Sequence, residues 1–97
     1  MPYKIEVRSL AAIEIIEAYD WYELQREGLG VEFLNELESF YESLIRNPDA
    51  YSFYEEPVRQ GKISRFPYLV VYEVIGSLIV IYSVFMSKPD PEAKRKA

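Results

Sequence analysis

The chain contains no cysteine and no histidine. Without cysteine there is no disulfide, no thiolate nucleophile and no cysteine-based zinc site. Without histidine there is no Ser-His-Asp or Cys-His machinery and no two-histidine metal motif. There is also no side chain whose unperturbed pKa lies near neutrality. Any chemistry must run on Arg, Lys, Tyr, Asp, Glu or backbone groups, which removes most hydrolase and metalloenzyme classes. Long apolar runs are missing too. None approaches the roughly 20 residues that span a bilayer, and no signal peptide opens the sequence. The expectation is a soluble, cytoplasmic protein without membrane contact. Its 97 residues are too few to close a second core.

What is present is ordinary for a globular domain, with 49% apolar and 28% charged residues. The net charge of -5 hides an asymmetry. Residues 1–57 carry 13 acids against 4 bases, whereas residues 58–97 carry 3 acids against 7 bases. A polyanion would be attracted only by the C-terminal part.

The opening Tyr3-Lys4-Ile5-Glu6-Val7-Arg8 alternates apolar and charged residues, the period of a strand with one wet face. Ser9 follows as an expected helix N-cap. From Leu10 to about Arg26 the period becomes helical. Ala12, Ile15, Ile16, Tyr19 and Tyr22 form one stripe, widened by Ala11 and Ala18, with Glu14, Glu17 and Asp20 opposite. Ile13 and Leu24 lie amid those acids and are expected to pack beneath a loop or a neighbour. Gly28-Leu29-Gly30 breaks the helix, and a second is expected over Val31 to Arg46. Its stripe is Phe33, Leu37, Phe40 and Leu44, and Asn47-Pro48 ends it. The pair reads as an antiparallel hairpin.

The remainder reads as sheet. Residues 51–57 are a weak strand or a loop, and Val58 to Phe66 mixes bases with apolar residues. Tyr68 to Ile75 and Leu78 to Phe85 are strands joined by a Gly76-Ser77 turn. Pairing Ile75 with Leu78 puts Tyr68, Val70, Tyr72, Val74, Ile79, Ile81, Ser83 and Phe85 on one face. That face has no charge and is expected beneath the helices. Leu69, Val71, Glu73, Ile75, Leu78, Val80, Tyr82 and Val84 take the other, expected to be an open, cationic hollow. One strand, two helices and then three or four antiparallel strands make an α+β fold with the helices on one face of a curved sheet. The domain covers residues 1–91, and residues 92–97 form a charged tail.

Several phrases in this order resemble the RelE/ParE superfamily of toxins from bacterial type II toxin–antitoxin (plasmid stabilisation) systems. They are Tyr3-Lys4-Ile5-Glu6-Val7, Tyr19-Asp20-Trp21-Tyr22, Gly28-Leu29-Gly30-Val31-Glu32-Phe33, Asn47-Pro48, Val58-Arg59 and Arg65-Phe66-Pro67-Tyr68. The resemblance implies a RelE/ParE-like fold and a cognate antitoxin as partner. It implies growth inhibition through either of two targets. ParE-like members poison DNA gyrase, and RelE-like members are endoribonucleases that cut messenger RNA in the ribosome. Families of this kind also form higher assemblies, so a homo-oligomer is compatible. Two departures stand out: Met86 where many members carry His, and Pro89 where a basic run often continues. They leave open a degenerate, non-toxic member that acts only as a binding module.

The candidate catalytic residues are Arg59, Lys62, Arg65, Tyr82 and Lys88. The three cations from 59 to 65 suit phosphate or carboxylate gripping, because Arg makes bidentate bonds and keeps its charge. The bland alternative is a charged edge that discourages strand pairing. Tyr82 and Lys88 would assist proton transfer or stack a base; otherwise they are a core tyrosine and a tail lysine. Glu73 reads as a base, a partner for Arg65 or a plain surface carboxylate, and Lys94-Arg95-Lys96 as a solvated terminus. No cofactor or metal is implied, since glutamates on one helical face lack further converging ligands.

Overall fold

The structure is a computed structural model and describes residues 2–87. Lys88, Pro89 and the charged tail lie outside the described residues. The elements are β1 (Lys4–Val7), α1 (Ser9–Gln25), α2 (Leu29–Arg46), β2 (Phe53–Glu55), β3 (Val58–Lys62), β4 (Tyr68–Ile75) and β5 (Leu78–Met86). They form one five-stranded sheet in the order β1-β5-β4-β3-β2. Strands β2 to β5 pair antiparallel, while β1 joins the far edge parallel to β5. This is the expected α+β architecture, with both helices packed on one sheet face.

The β4–β5 hairpin turns at Gly76, whose φ of +63° is costly for a residue with a Cβ. Ile75 pairs with Leu78 as expected, and the register holds to Tyr72–Ile81. It then slips: Val71 pairs with Ser83, so Tyr82 is an extra residue. A bulge of this kind inverts the in-and-out alternation beyond it. Val84, expected on the open face, is therefore buried in the helix-side core, and Phe85 is only half-buried. On the other face Val71 and Val80 are also buried. Val80 sits in register between Glu6 and Glu73. The centre of that face is thus filled by its own side chains rather than hollow.

A carboxylate from α1 serves the bulge. Glu14 Oε1 accepts from Ser83 Oγ and from the Val84 backbone N–H, each at 2.8 Å. Ala11 and Ala18, one turn to either side of Glu14, are the two buried residues of the helix. Their small side chains let α1 lie close to β5. This rotates the expected stripe: Ile15 and Tyr22 still pack inward, but Ile16 points outward. Ser9 is the first helical residue, not the cap; extended Arg8 is the cap, and it makes no side-chain bond to the helix start.

The second helix begins at Leu29, two residues before the expected Val31. Its start is capped from α1, because Glu23 Oε1 accepts the N–H of Gly28 at 3.0 Å and of Gly30 at 2.7 Å. Gly30 is where the helices touch. A Cβ there would lie 2.7 Å from the Tyr19 carbonyl oxygen. Inward-facing Phe33, Leu37, Phe40 and Leu44 are buried as their spacing requires.

Phe66 and Tyr68 enter the hairpin beside Tyr22 and Phe33. Ring centroids lie 4.9 Å apart for Tyr22–Phe66, 5.4 Å for Phe33–Phe66 and 5.1 Å for Phe33–Tyr68, and all three pairs meet edge-on. Further along, buried Tyr72 donates from Oη to the Pro48 carbonyl at 2.7 Å.

Two predictions follow from this packing. Replacing Gly30 with Ala forces its Cβ against backbone, which cannot swing aside. The loss should be about 1–3 kcal/mol in urea denaturation; an unchanged midpoint would refute the close approach. Burial pushes the Tyr41 and Tyr72 hydroxyls up to about 12. Their neutral forms are therefore favoured by folding. That contribution is whole below about pH 10 and is lost as pH rises toward about 12. Alkaline titration of stability should fall in this window, less steeply in Tyr41→Phe and Tyr72→Phe variants.

Candidate functional site

The candidate cations do not converge. Arg65 sits in the β3–β4 loop with a left-handed φ of 71°, uncommon for a residue with a Cβ. Phe66 and Tyr68 point into the aromatic cluster, and Arg65 swings the other way onto α2. Its two terminal nitrogens donate to Glu32 at 2.7 Å and to Glu36 at 3.3 Å. The hydrogen bond from Arg65 holds Glu32 below its usual carboxylate range, and the same contact raises the Arg65 guanidinium. Arg26 donates to the other Glu32 oxygen at 3.1 Å and completes a four-residue network. Arg65 is therefore partnered by glutamates rather than facing the open sheet surface.

Arg59 is held at the opposite edge. One nitrogen donates to the Tyr51 carbonyl at 2.6 Å, another lies 3.5 Å from Asp49, and the guanidinium covers the Phe53 ring at 4.1 Å. In register Arg59 pairs with Tyr72 and Lys62 with Leu69, so the two occupy opposite faces of β3. Lys62 borders a small cleft beside α2 with Glu36, Ser43, Tyr51 and Ser64.

Tyr82 does belong to the open face. As the bulged residue it donates from Oη to Glu73 at 2.6 Å, which raises its hydroxyl pKa. The Arg8 guanidinium lies 5.8 Å from its ring centroid and pairs with Glu6 at 2.8 Å. Glu73 thus meets Tyr82, not Arg65. Arg59, Arg65 and Tyr82 are each engaged with different partners, so no shared phosphate grip forms from them.

A second cleft, of about 250 Å³, opens between α1 and the end of β5. Glu14, Glu17, Trp21, Tyr68, Phe85 and Met86 line it. It adjoins the outer surface of α1, where Leu10 is 57% exposed, Ile13 54%, Trp21 48% and Leu24 82%. Among the described residues nothing packs over Ile13 or Leu24, contrary to expectation. Glu14 and Trp21 were the residues the sequence pattern missed. The Ala11-Glu14-Ala18 spacing, a carboxylate between two small residues on one face, was the available signal.

Among the described residues no helix is long and apolar enough to cross a membrane. Nor do the described residues contain a group of three or more carboxylates placed to hold a metal.

Comparison with known proteins gives a structural likeness without a sequence one. No protein-family model and no curated protein matches the chain. Among solved structures it is similar to a chain of a chromosomal ParDE toxin–antitoxin system from P. aeruginosa. The TM-score is 0.77 and the identity 16%, covering 89% of this chain and 97% of that one. The α+β fold described above is thus a RelE/ParE-like fold.

Proposed function

We propose that the chain is the toxin component of a type II toxin–antitoxin pair. A cognate antitoxin neutralises it, and it inhibits growth by binding a protein target in the ParE manner, DNA gyrase being the first candidate. The observation that carries this reading is the fold shared with a ParDE chain over nearly the full length of both. The engaged state of the cations supports a protein target over RelE-like messenger cleavage. Arg59 and Arg65 are each committed to oxygen acceptors of their own chain. A transition-state phosphate would need them converging and free.

Induced expression with and without the adjacent small open reading frame tests the reading. Growth should stop without that reading frame and recover with it, with the two products purifying as one complex. Purified protein should also slow gyrase supercoiling while transcripts stay uncut. Normal growth on strong induction would instead indicate a non-toxic binding module. Cleaved transcripts would indicate the ribonuclease.

A further inference from the structure

The outer surface of α1 carries more apolar area than the fold explains. Ile13, Trp21 and Leu24 fall three, eleven and fourteen residues along from Leu10, which puts all four on one face of a straight helix. The middle of that seam, where a fifth apolar residue would sit, is Glu17. Asp20 flanks it, and both are exposed. Among the described residues neither takes part in an ion pair. At the Trp21 end the seam runs into the cleft that holds Phe85 and Met86. Contiguous exposed apolar surface rimmed by charge marks an interaction site.

The charges choose among occupants. A second copy of this helix, packed antiparallel about the seam centre or parallel in register, would place Glu17 on Glu17. Like carboxylates at the middle of an apolar seam oppose that pairing. The chain's own residues 88–97 contain no large apolar side chain to fill the seam. An anionic lipid surface would be repelled by the same acids. A helix that is apolar along one stripe, with Lys or Arg opposite Glu17 and Asp20, satisfies both the area and the charge.

We propose that the outer face of α1 docks a basic amphipathic helix of a partner protein, seated along Leu10, Ile13, Trp21 and Leu24 with its cations on Glu17 and Asp20. Under the toxin–antitoxin reading this helix belongs to the antitoxin, and the proposal rests on that reading only for the partner's identity. The face would reject an acidic helix of the same apolar pattern.

Trp21 is the only tryptophan of the chain, so its emission reports the seam directly. Two synthetic helical peptides serve as probes, with leucine along one helical stripe of the same length and either Lys or Glu at the flanks. The Lys peptide should shift Trp21 emission to the blue and bind at least about tenfold more tightly than the Glu peptide, less so at high salt. Glu17→Lys should reverse the order. No shift with either peptide, equal affinities, or an unchanged order in Glu17→Lys would overturn the proposal. The second arm uses the complex with the neighbouring gene product. An Ile13→Ser, Leu24→Ser double variant, altered only at exposed positions, should weaken it about tenfold or more. A complex of undiminished affinity overturns the docking surface while leaving the toxin reading intact. Failure of the wild-type chain to bind that product overturns the toxin reading, and the peptides still decide the surface.

Discussion

One carboxylate fixes how the helical layer lies on the sheet. Glu14 reaches from α1 to β5 and accepts both the Ser83 hydroxyl and the Val84 amide. Charge-assisted bonds of this kind are short, directional and stronger than neutral ones. They sit where the extra residue Tyr82 breaks the strand alternation. The bulge turns Val84 inward, and Glu14 satisfies the amide there. With Glu14 anchored, Ala11 and Ala18 must face the sheet. The same rotation leaves Leu10, Ile13, Trp21 and Leu24 outside. The outward character of α1 is thus a consequence of an inward contact.

Beside this anchor the two layers are held by rings. Tyr22 near the end of α1, Phe33 in α2, Phe66 ahead of β4 and Tyr68 at its start meet in one cluster. These residues come from three of the sequence phrases that carry the family resemblance. Those phrases therefore mark the joint between hairpin and sheet. Arg65 stands in the same phrase, but its ties run to Glu32 and Glu36. Its position is explained by locking the β3–β4 loop onto α2. Such an exposed network contributes modestly to stability, since solvent screens it.

Much of this architecture was legible in the sequence because period and punctuation agreed. The Phe33, Leu37, Phe40, Leu44 stripe, the Pro48 stop and the Gly76 turn each have a local physical cause. The rest depended on contacts distant in sequence. No local signal announces a bulge at Tyr82, so simple alternation misplaced Val84 and Phe85. Parallel pairing of β1 with β5 joins residues more than 70 apart. In α1 apolar residues occur on nearly every side, so periodicity could not say which face turns inward. The candidate cations Arg59, Lys62 and Arg65 are close only along the chain. Alternation on β3 and the turn at Arg65 separate them in space.

Glu14 holds β5 at its bulge, and backbone hydrogen exchange at Val84 measures that contact directly. In the wild-type chain the Val84 amide should exchange slowly, through opening of the sheet. In Glu14→Ala it should exchange much faster, while the Ile79 and Ile81 amides on the same strand stay protected. Equal exchange at Val84 in both proteins would contradict the anchoring of α1, and with it the outward face built upon it.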